Sequence, residues 1–286
     1  MSGCKEGKNM EDKIETIGNG TKIQHGHLND RIYLIKLGKE DCPGILETIS
    51  SIAGENNYSK IFCKSPGWAA PYFFADGYLT EAIIPRFYQN SEPAFFLAKY
   101  LNLDRLLELE TDQLQDLGQL LKGTFQEETL PGNSGFKSML MGPSDVKEIT
   151  SIYKRVFLSY PFPIHDSRYI LETMKENVRY YGIRKDRQLV ALASAEVNME
   201  DKNAEMTDFA TLSGFRGKKL GQRLLARMES DMKNLGIATL YTIARLESIP
   251  MNKVFLKHQY QYGGTLVNNT NIAGKIESMN VYYKHI

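Results

Sequence analysis

The sequence predicts an α/β chain in two parts: a C-terminal domain over 136–286 with a mixed central sheet, and a smaller α/β N-terminal domain over 1–125. Three observations lead there. Strand-like alternation is interleaved with helical periodicity along the whole chain. At 286 residues there is length for two domains of ordinary size. Between them, KGTFQEETLPGNSG gathers Gly, Pro, Asn and Ser without periodicity, as a linker does.

In the first part, NDRIYLIKL alternates as a strand, ILETISSIAG has helical spacing, and YSKIFCKS and EPAFFLAKYL read as strands. Leu106, Leu109, Leu114, Leu117, Leu120 and Leu121 then recur at helical spacing, which predicts one helix from Arg105 to Leu121. After the linker, FKSMLM is a strand, and Ser144 and Asp145 behind Pro143 open a helix running to Phe157. The prolines of SYPFPIHD forbid its continuation, and a second helix runs from Ser167 to Asn177. VRYYGIR, LVALASAEVNM and AEMTDFATL follow as an antiparallel meander, with turns at KDRQ and EDKN. A long helix from Lys218 to Leu235 is closed by Gly236. IATLYTIA is a strand, PMNKVFLKH a short helix opened by Pro250, and YQYGGTLV and SMNVYYKH the last two strands. The order is β-α-α-β-β-β-α-β-α-β-β.

Lys and Arg number 35 against 34 Asp and Glu, a formal net charge of +1, so no global field points to nucleic acid or an anionic membrane. Three dispersed cysteines, Cys4, Cys42 and Cys63, fit a reducing compartment, and the five histidines show no ligand spacing, so no metal is expected. The polar start MSGCKEGKNMEDKIE resembles no signal peptide, and no apolar run reaches membrane-spanning length. The expectation is a soluble, cytoplasmic monomer or homodimer.

One stretch departs from ordinary design. FRGKKLG places Arg216, Lys218, Lys219, Gly217 and Gly221 where the long helix begins. A helix N-terminus exposes unpaired N–H groups and carries partial positive charge, so cations there are unfavourable by about a few tenths of a kcal/mol each. A phosphate would repay them, and glycine would let it approach closely. The other reading is a glycine turn with a solvated basic face.

RGKKLGQRLL resembles the pyrophosphate-binding segment of the GCN5-related N-acetyltransferase (GNAT) superfamily, Q/R-x-x-G-x-G/A after the fourth strand. Arg216 takes its first position, Gly221 its last, and Lys219 the place where glycine is usual. YPFPIHD, EMTDFATL, YTIARLES, MNKVF and YGGTLVNNTNIAGKIESMNVYYK look like the beta-lysine N6-acetyltransferases, as do IQHGHLNDRIYLIKL and YSKIF near the start. That family acts after a lysine 2,3-aminomutase and makes N6-acetyl-beta-lysine, an osmolyte. The resemblance implies a GNAT-type sheet, acetyl-CoA as co-substrate, and a small amine as acceptor. It also implies a coenzyme site formed by Ala210, Thr211, Leu212, Arg216, Gly217, Lys218, Lys219, Leu220 and Gly221, with Asn252 and Phe255 beyond.

Acyl transfer to an amine needs a group that accepts the ammonium proton. Along AEMTDFATL, Glu205 and Asp208 fall on opposite faces unless a bulge intervenes. Asp208 is the first candidate to hold or deprotonate the amine and Glu205 the second; either also reads as a surface acid. In many relatives a tyrosine protonates the thiolate, but Phe255 occupies that position; Tyr260, Tyr262 or Tyr241 would substitute, or water would. Tyr160, Phe162 and His165 are candidate walls of the amine channel. Asn269, Asn271 and Glu277 are candidates for an amino acid's charged head, although asparagines of this kind also make turns. Other acceptors, namely lysine, a polyamine or an aminoglycoside, remain open, as does a coenzyme-binding sensor without turnover. Finally, YSKIFCKS followed by PYFFADGYLTEAII echoes IATLYTIA followed by NKVFLKHQYQYGGTL, with Phe73 and Tyr78 spaced like Phe255 and Tyr260. A degenerate second acetyltransferase half, without the coenzyme turn, would account for it.

Overall fold

The computed structural model describes residues 12–107, 110–126, 135–158 and 160–286. Cys4, the polar start and the centre of the expected linker, 127–134, lie outside them. In chain order the elements are β1 (Lys13–Ile17), β2 (Thr21–Gly26), β3 (Arg31–Lys36), α1 (Ile45–Glu55), β4 (Lys60–Pro66), α2 (Ala70–Ala75), β5 (Leu79–Tyr88), β6 (Glu92–Tyr100), α3 (Asp104–Leu107) and α4 (Thr111–Leu121). The second half holds β7 (Phe136–Leu140), α5 (Val146–Val156), α6 (Ser167–Glu176), β8 (Val178–Lys185), β9 (Gln188–Asn198), β10 (Asn203–Thr211), α7 (Leu220–Asn234), β11 (Thr239–Arg245), α8 (Ile249–Lys257), β12 (Gln261–Ile272) and β13 (Lys275–His285). The strand and helix order read for the second half matches these elements one for one.

The helices form where periodicity and local chemistry agree. Leu220, Leu224, Leu225, Met228 and Met232 make one buried stripe of α7, packed on Met206, Leu240 and Phe255. Before α5, the Asp145 carboxylate accepts the Gly142 N–H at 2.9 Å, closing the turn that Pro143 opens. The Asp166 side chain caps α6 by accepting from the Arg168 N–H at 2.8 Å. The expected helix from Arg105 to Leu121 is instead two, α3 and α4, with 108 and 109 outside the described residues. Arg105 explains the division: its buried guanidinium donates to the carbonyls of Asn29 and Asn268, both at 2.9 Å, which turns α3 toward the interior. A continuous helix would have left that cation on a solvent face. The strands β1, β2 and β5 had no counterpart in the sequence reading; in β2, for example, the buried polar residues Gln24 and His25 break the apolar alternation.

Among the described residues, 13 strands join one sheet, ordered β1-β2-β3-β4-β6-β5-β12-β13-β11-β10-β9-β8-β7. Each half repeats the same pattern. An antiparallel meander, β1-β2-β3 or β8-β9-β10, crosses over a helix to a parallel strand, β4 or β11. A short helix and an antiparallel hairpin follow, β5-β6 or β12-β13. Phe73 meets Tyr78 edge-on at 5.1 Å, as Phe255 meets Tyr260 at 5.4 Å. The turn before α1, however, carries one cation, Lys39, beside Glu40 and Asp41, where the turn before α7 carries Arg216, Lys218 and Lys219.

The halves were expected to be separate domains, yet they are fused through β5 and β12. Phe62, Ile84, Phe87 and Phe96 of the first half share a core with Tyr241, Leu266, Met279 and Val281 of the second. Lys60, fully buried, binds Glu81 at 2.9 Å and the Val267 carbonyl at 2.7 Å, while Glu81 also accepts the Val267 N–H at 2.8 Å. Burial pulls the Lys60 ammonium down to about 7 against the opposing pull of Glu81. Gly264, the residue of β12 that pairs with Ala82 of β5, has φ +144, and a Cβ there would stand 2.7 Å from the Ala82 Cα. Backbone cannot move aside as a side-chain tip can. Gly264→Val should therefore destabilise the fold by about 2 kcal/mol or more, whereas the same change at Gly54, where a Cβ meets nothing within 4 Å, should cost less. Urea unfolding of the two variants checks the contrast.

Candidate active site

The site begins where two parallel strands part. β10 and β11 are paired only through Asn203–Glu205 against Thr239–Tyr241. Beyond Glu205, β10 runs on to Thr211 and β11 to Arg245 with no paired residues between them. The β11-side edge of Met206, Ala210 and Thr211 is therefore unladdered, and a linear ligand carrying amides can bond to it. Leu212 turns back to β9 through its N–H, which donates to the Val190 carbonyl at 3.0 Å.

Next to the gap, β10 is bulged. Thr207 pairs with Ser194 and Ala210 with Leu192, so Asp208 and Phe209 together oppose one residue of β9. Asp208 sits at φ +57, a left-handed conformation tolerated by Asp at modest cost. Strict alternation would have set Asp208 against Glu205. The bulge instead returns Asp208 to the face of Glu205 and Ser194, and sends Phe209 to the opposite side, where it meets Phe255 edge-on at 5.7 Å. Asp208 accepts hydrogen bonds from Ser194 Oγ at 2.5 Å and from the Tyr160 hydroxyl. Tyr160 is steadied from the first half, since Gln24 Nε2 donates to the Pro161 carbonyl at 3.0 Å.

Three carboxylates thus face one cleft: Glu196, Glu205 and Asp208. Glu196 pairs with Glu205 across β9 and β10. Glu196 keeps contact with solvent but is ringed by protein, so burial still acts on it. Burial first, and then repulsion from Glu205 and Asp208, push it up to about 8. Burial also raises Glu205, against the pull of Lys64 and Tyr241, and raises Asp208, against the hydrogen bonds from Ser194 and Tyr160. Among the described residues no group of three or more His, Cys, Asp or Glu side chains could hold a metal ion, so the acids share the cleft without converging. What they offer is an anionic slot that a cation would relieve.

The opposite charge lies at the start of α7. Gly217 is at φ +76 and Lys219 at φ +56, and no side chain caps the helix. Lys219 therefore adopts the conformation that glycine would take there, at a cost of about 1 kcal/mol. For the same reason α7 begins at Leu220 rather than at Lys218. A Cβ on Gly221 would find only the Met251 sulfur, at 3.8 Å. Arg216, Lys218 and Lys219 are exposed around these first N–H groups. The residues present thus fit a diphosphate.

Other expected site residues lie elsewhere. Asn252 is fully buried, and its amide is spent on protein: Nδ2 donates to the carbonyls of Arg245 and Ser248 at 2.9 and 2.8 Å, and Oδ1 accepts from Asn280. That makes it a clamp between β11, α8 and β13. Tyr260 is packed in the α7 core against Phe255, and Lys284 lies 5.8 Å from its ring. Of the three tyrosines considered as proton donors, Tyr241 is the one whose hydroxyl interacts with a cleft carboxylate, Glu205. Phe162 packs beside Ile164 in the core under α5 and α6. His165 Nε2 is buried there without a hydrogen-bond partner. Glu277 holds Arg245 through both oxygens at 2.8 Å, the Asn271 side chain closes its own turn by accepting from Gly274, and the Asn269 carbonyl accepts from Arg31. These last three knit the β12–β13 hairpin to its neighbours rather than meeting Asp208.

Sequence reasoning missed Glu196, Ser194 and Lys64. The signal for the first two was present: they are the polar interruptions of the apolar run LVALASAEV. Lys64, on β4, reaches the cleft from the other half, and its Nζ lies 3.3 Å from the Tyr241 hydroxyl.

The pattern of the acetyltransferase (GNAT) family matches residues 146–259, the stretch that carries α5 through α8. The chain is 38% identical to a beta-lysine N(6)-acetyltransferase of Methanococcus maripaludis, over 96% of this chain and 99% of that protein. It is 30% identical to N-acetyltransferase YodP of Bacillus subtilis, over 97% and 100% of the two chains. A beta-lysine N(6)-acetyltransferase of Methanosarcina mazei is 27% identical, over 83% and 95%. Likeness that runs from end to end, over a parted strand pair and an uncapped basic helix start, makes this chain an N-acetyltransferase belonging to the GNAT family.

Proposed function

We propose that this enzyme transfers an acetyl group from acetyl-CoA to the side-chain amine of beta-lysine, giving N6-acetyl-beta-lysine. The observation that carries the reading is the anionic slot of Glu196, Glu205 and Asp208 beside the parted strands. The names of the full-length relatives in two methanogens support the choice of amine.

Acetyl-CoA, when bound, supplies an acyl group activated as a thioester. The first N–H groups of α7, with Arg216, Lys218 and Lys219 around them, would hold its diphosphate. The open edge of β10 would receive the pantetheine arm. Asp208, fixed by Ser194 and Tyr160, takes the substrate ammonium, and with Glu205 accepts the proton that the nitrogen must lose before it attacks the acyl carbon. The raised pKa values of these acids bring them closer to that of the amine they must deprotonate. As the new C–N bond forms and the C–S bond breaks, the departing thiolate needs a proton, which Phe255 cannot give. Tyr241 is kept protonated by burial and by Glu205, but it stands at the Glu205 end of the cleft, so water at the open edge of β10 supplies that proton.

Three measurements test this reading. Asp208→Asn should lower kcat on beta-lysine about a hundredfold or more, and acetyl-CoA affinity less than about threefold. Gly221→Val should raise the acetyl-CoA Kd at least about tenfold with little change in Tm, because the protein itself has room for a Cβ there. Glu196→Gln removes a like charge, so Glu205 and Asp208 should ionise at lower pH and the acidic limb of kcat/KM should move down. Its effect on stability has a definite sign. The Glu196 carboxyl is raised in the fold, so its ionisation opposes folding as pH climbs from about 4.5 to about 8. The Gln variant should then match the wild type below that window and melt at a higher temperature above it. Thermal melts across pH check this.

A further inference from the structure

Lys64 faces the acid cleft from the first half of the chain, and the acetyl-transfer step leaves its function unexplained. It lies on β4 opposite Phe96 of β6, on the same face as Lys60 and Phe62. Its stem crosses two rings, with Nζ 5.7 Å from the Phe87 centroid and 5.5 Å from that of Tyr241. Nζ lies at hydrogen-bonding distance from one described group, the Tyr241 hydroxyl at 3.3 Å. Among the described residues no carboxylate forms an ion pair with it, although Glu205, Glu196 and Asp201 all act on its charge from farther off. An ammonium has three donors, so two remain to be satisfied in a crowded site where burial weakens its charge.

The cleft is therefore bipolar. Asp208 marks one end, beside the basic turn before α7. Tyr241, which pairs with Glu205, marks the other, with Lys64 upon it. Two residues of β10, Met206 and Thr207, lie between Glu205 and Asp208, so the two acids are three steps apart, about 10 Å of extended strand at most, which is on the scale of a diamino acid. A diamine or polyamine would bring a second cation against Lys64. An amino acid would bring a carboxylate.

We propose that Lys64 receives the substrate's carboxylate and so makes this transferase select a diamino acid over a polyamine or a simple diamine, with the distal amine delivered to Asp208. The proposal deepens the beta-lysine reading and rests on it for the identity of the acceptor, but not for the role of the carboxylate.

The test compares amines that differ by that group alone: beta-lysine with 1,4-diaminopentane, and lysine with 1,5-diaminopentane. Values of kcat/KM are measured for the wild type, Lys64→Met, which keeps the apolar stem, and Lys64→Arg, which keeps the charge. Melting temperature and acetyl-CoA affinity serve as folding controls, and calorimetric binding of the same pairs is read in parallel. In the wild type each amino acid should be preferred over its decarboxylated partner. Lys64→Met should cut that preference about ten- to a hundredfold through a higher KM for the amino acid, with the diamine unchanged or improved. Lys64→Arg should retain most of it. A wild type that favours the diamines overturns the proposal, as does a Met variant in which both members of a pair fall together or neither moves. Should lysine react and beta-lysine not, the beta-lysine reading fails, and the ratio in the lysine pair still decides Lys64.

Discussion

The structure turns on a single departure from regular sheet geometry: β10 and β11 separate after three paired residues, and β10 bulges as it leaves. Separation frees a strand edge beside a helix start. The bulge rotates one carboxylate onto the same face as another. Neither would follow from a fully laddered sheet, where each N–H and C=O would be paired and Asp208 would point toward α7. The left-handed backbone at Asp208 and at Lys219, two positions where glycine would be less strained, stores energy at both ends of the gap. Such strain persists because the packing of α7 on one face and α5 on the other holds the strand on both sides.

Charge is arranged in two local fields of opposite sign. A chain whose basic and acidic residues nearly cancel has no far-reaching field. Locally, cations collect where N–H groups already favour an anion, and carboxylates collect where burial raises their pKa values. The cost of gathering three acids is visible in the raised Glu196, and a bound ammonium would offset it. On the proposed reading, substrate binding and proton acceptance use the same groups.

The first half is more than an appendage. It repeats the strand order of the second, yet its crossover turn carries Glu40 and Asp41 instead of a basic turn, which disfavours an anion there. It gives instead a wall. Gln24 steadies the loop of Tyr160, Lys64 meets Tyr241, and the buried Lys60–Glu81 pair, with the Val267 backbone, joins the halves at β5 and β12. Removing either ion of that pair would strand its partner in the interior, so the junction is chemically specific as well as apolar.

Local patterning carried much of this. The order of elements from β7 to β13 was legible because each has a clean period of 2 or 3.6 and is bounded by Gly, Pro or a capping acid. The basic turn was legible because cations at a helix start are conspicuous. Asp208 and Glu205 were recognisable as acids before that turn, but their common face depended on a bulge that pairing with β9 imposes. Glu196 and Lys64 were invisible as partners, since one lies on a neighbouring strand and the other more than a hundred residues away. Asn252 and Glu277 looked like ligand groups until packing showed Asn280 and Arg245 already bound to them. The sequence by itself determined the elements of the second half, their order and the basic turn before α7, because these depend on neighbours within a few residues. Which side chains share the cleft was decided by the tertiary structure alone, because strand register and the docking of the two halves are set by contacts that no local pattern encodes.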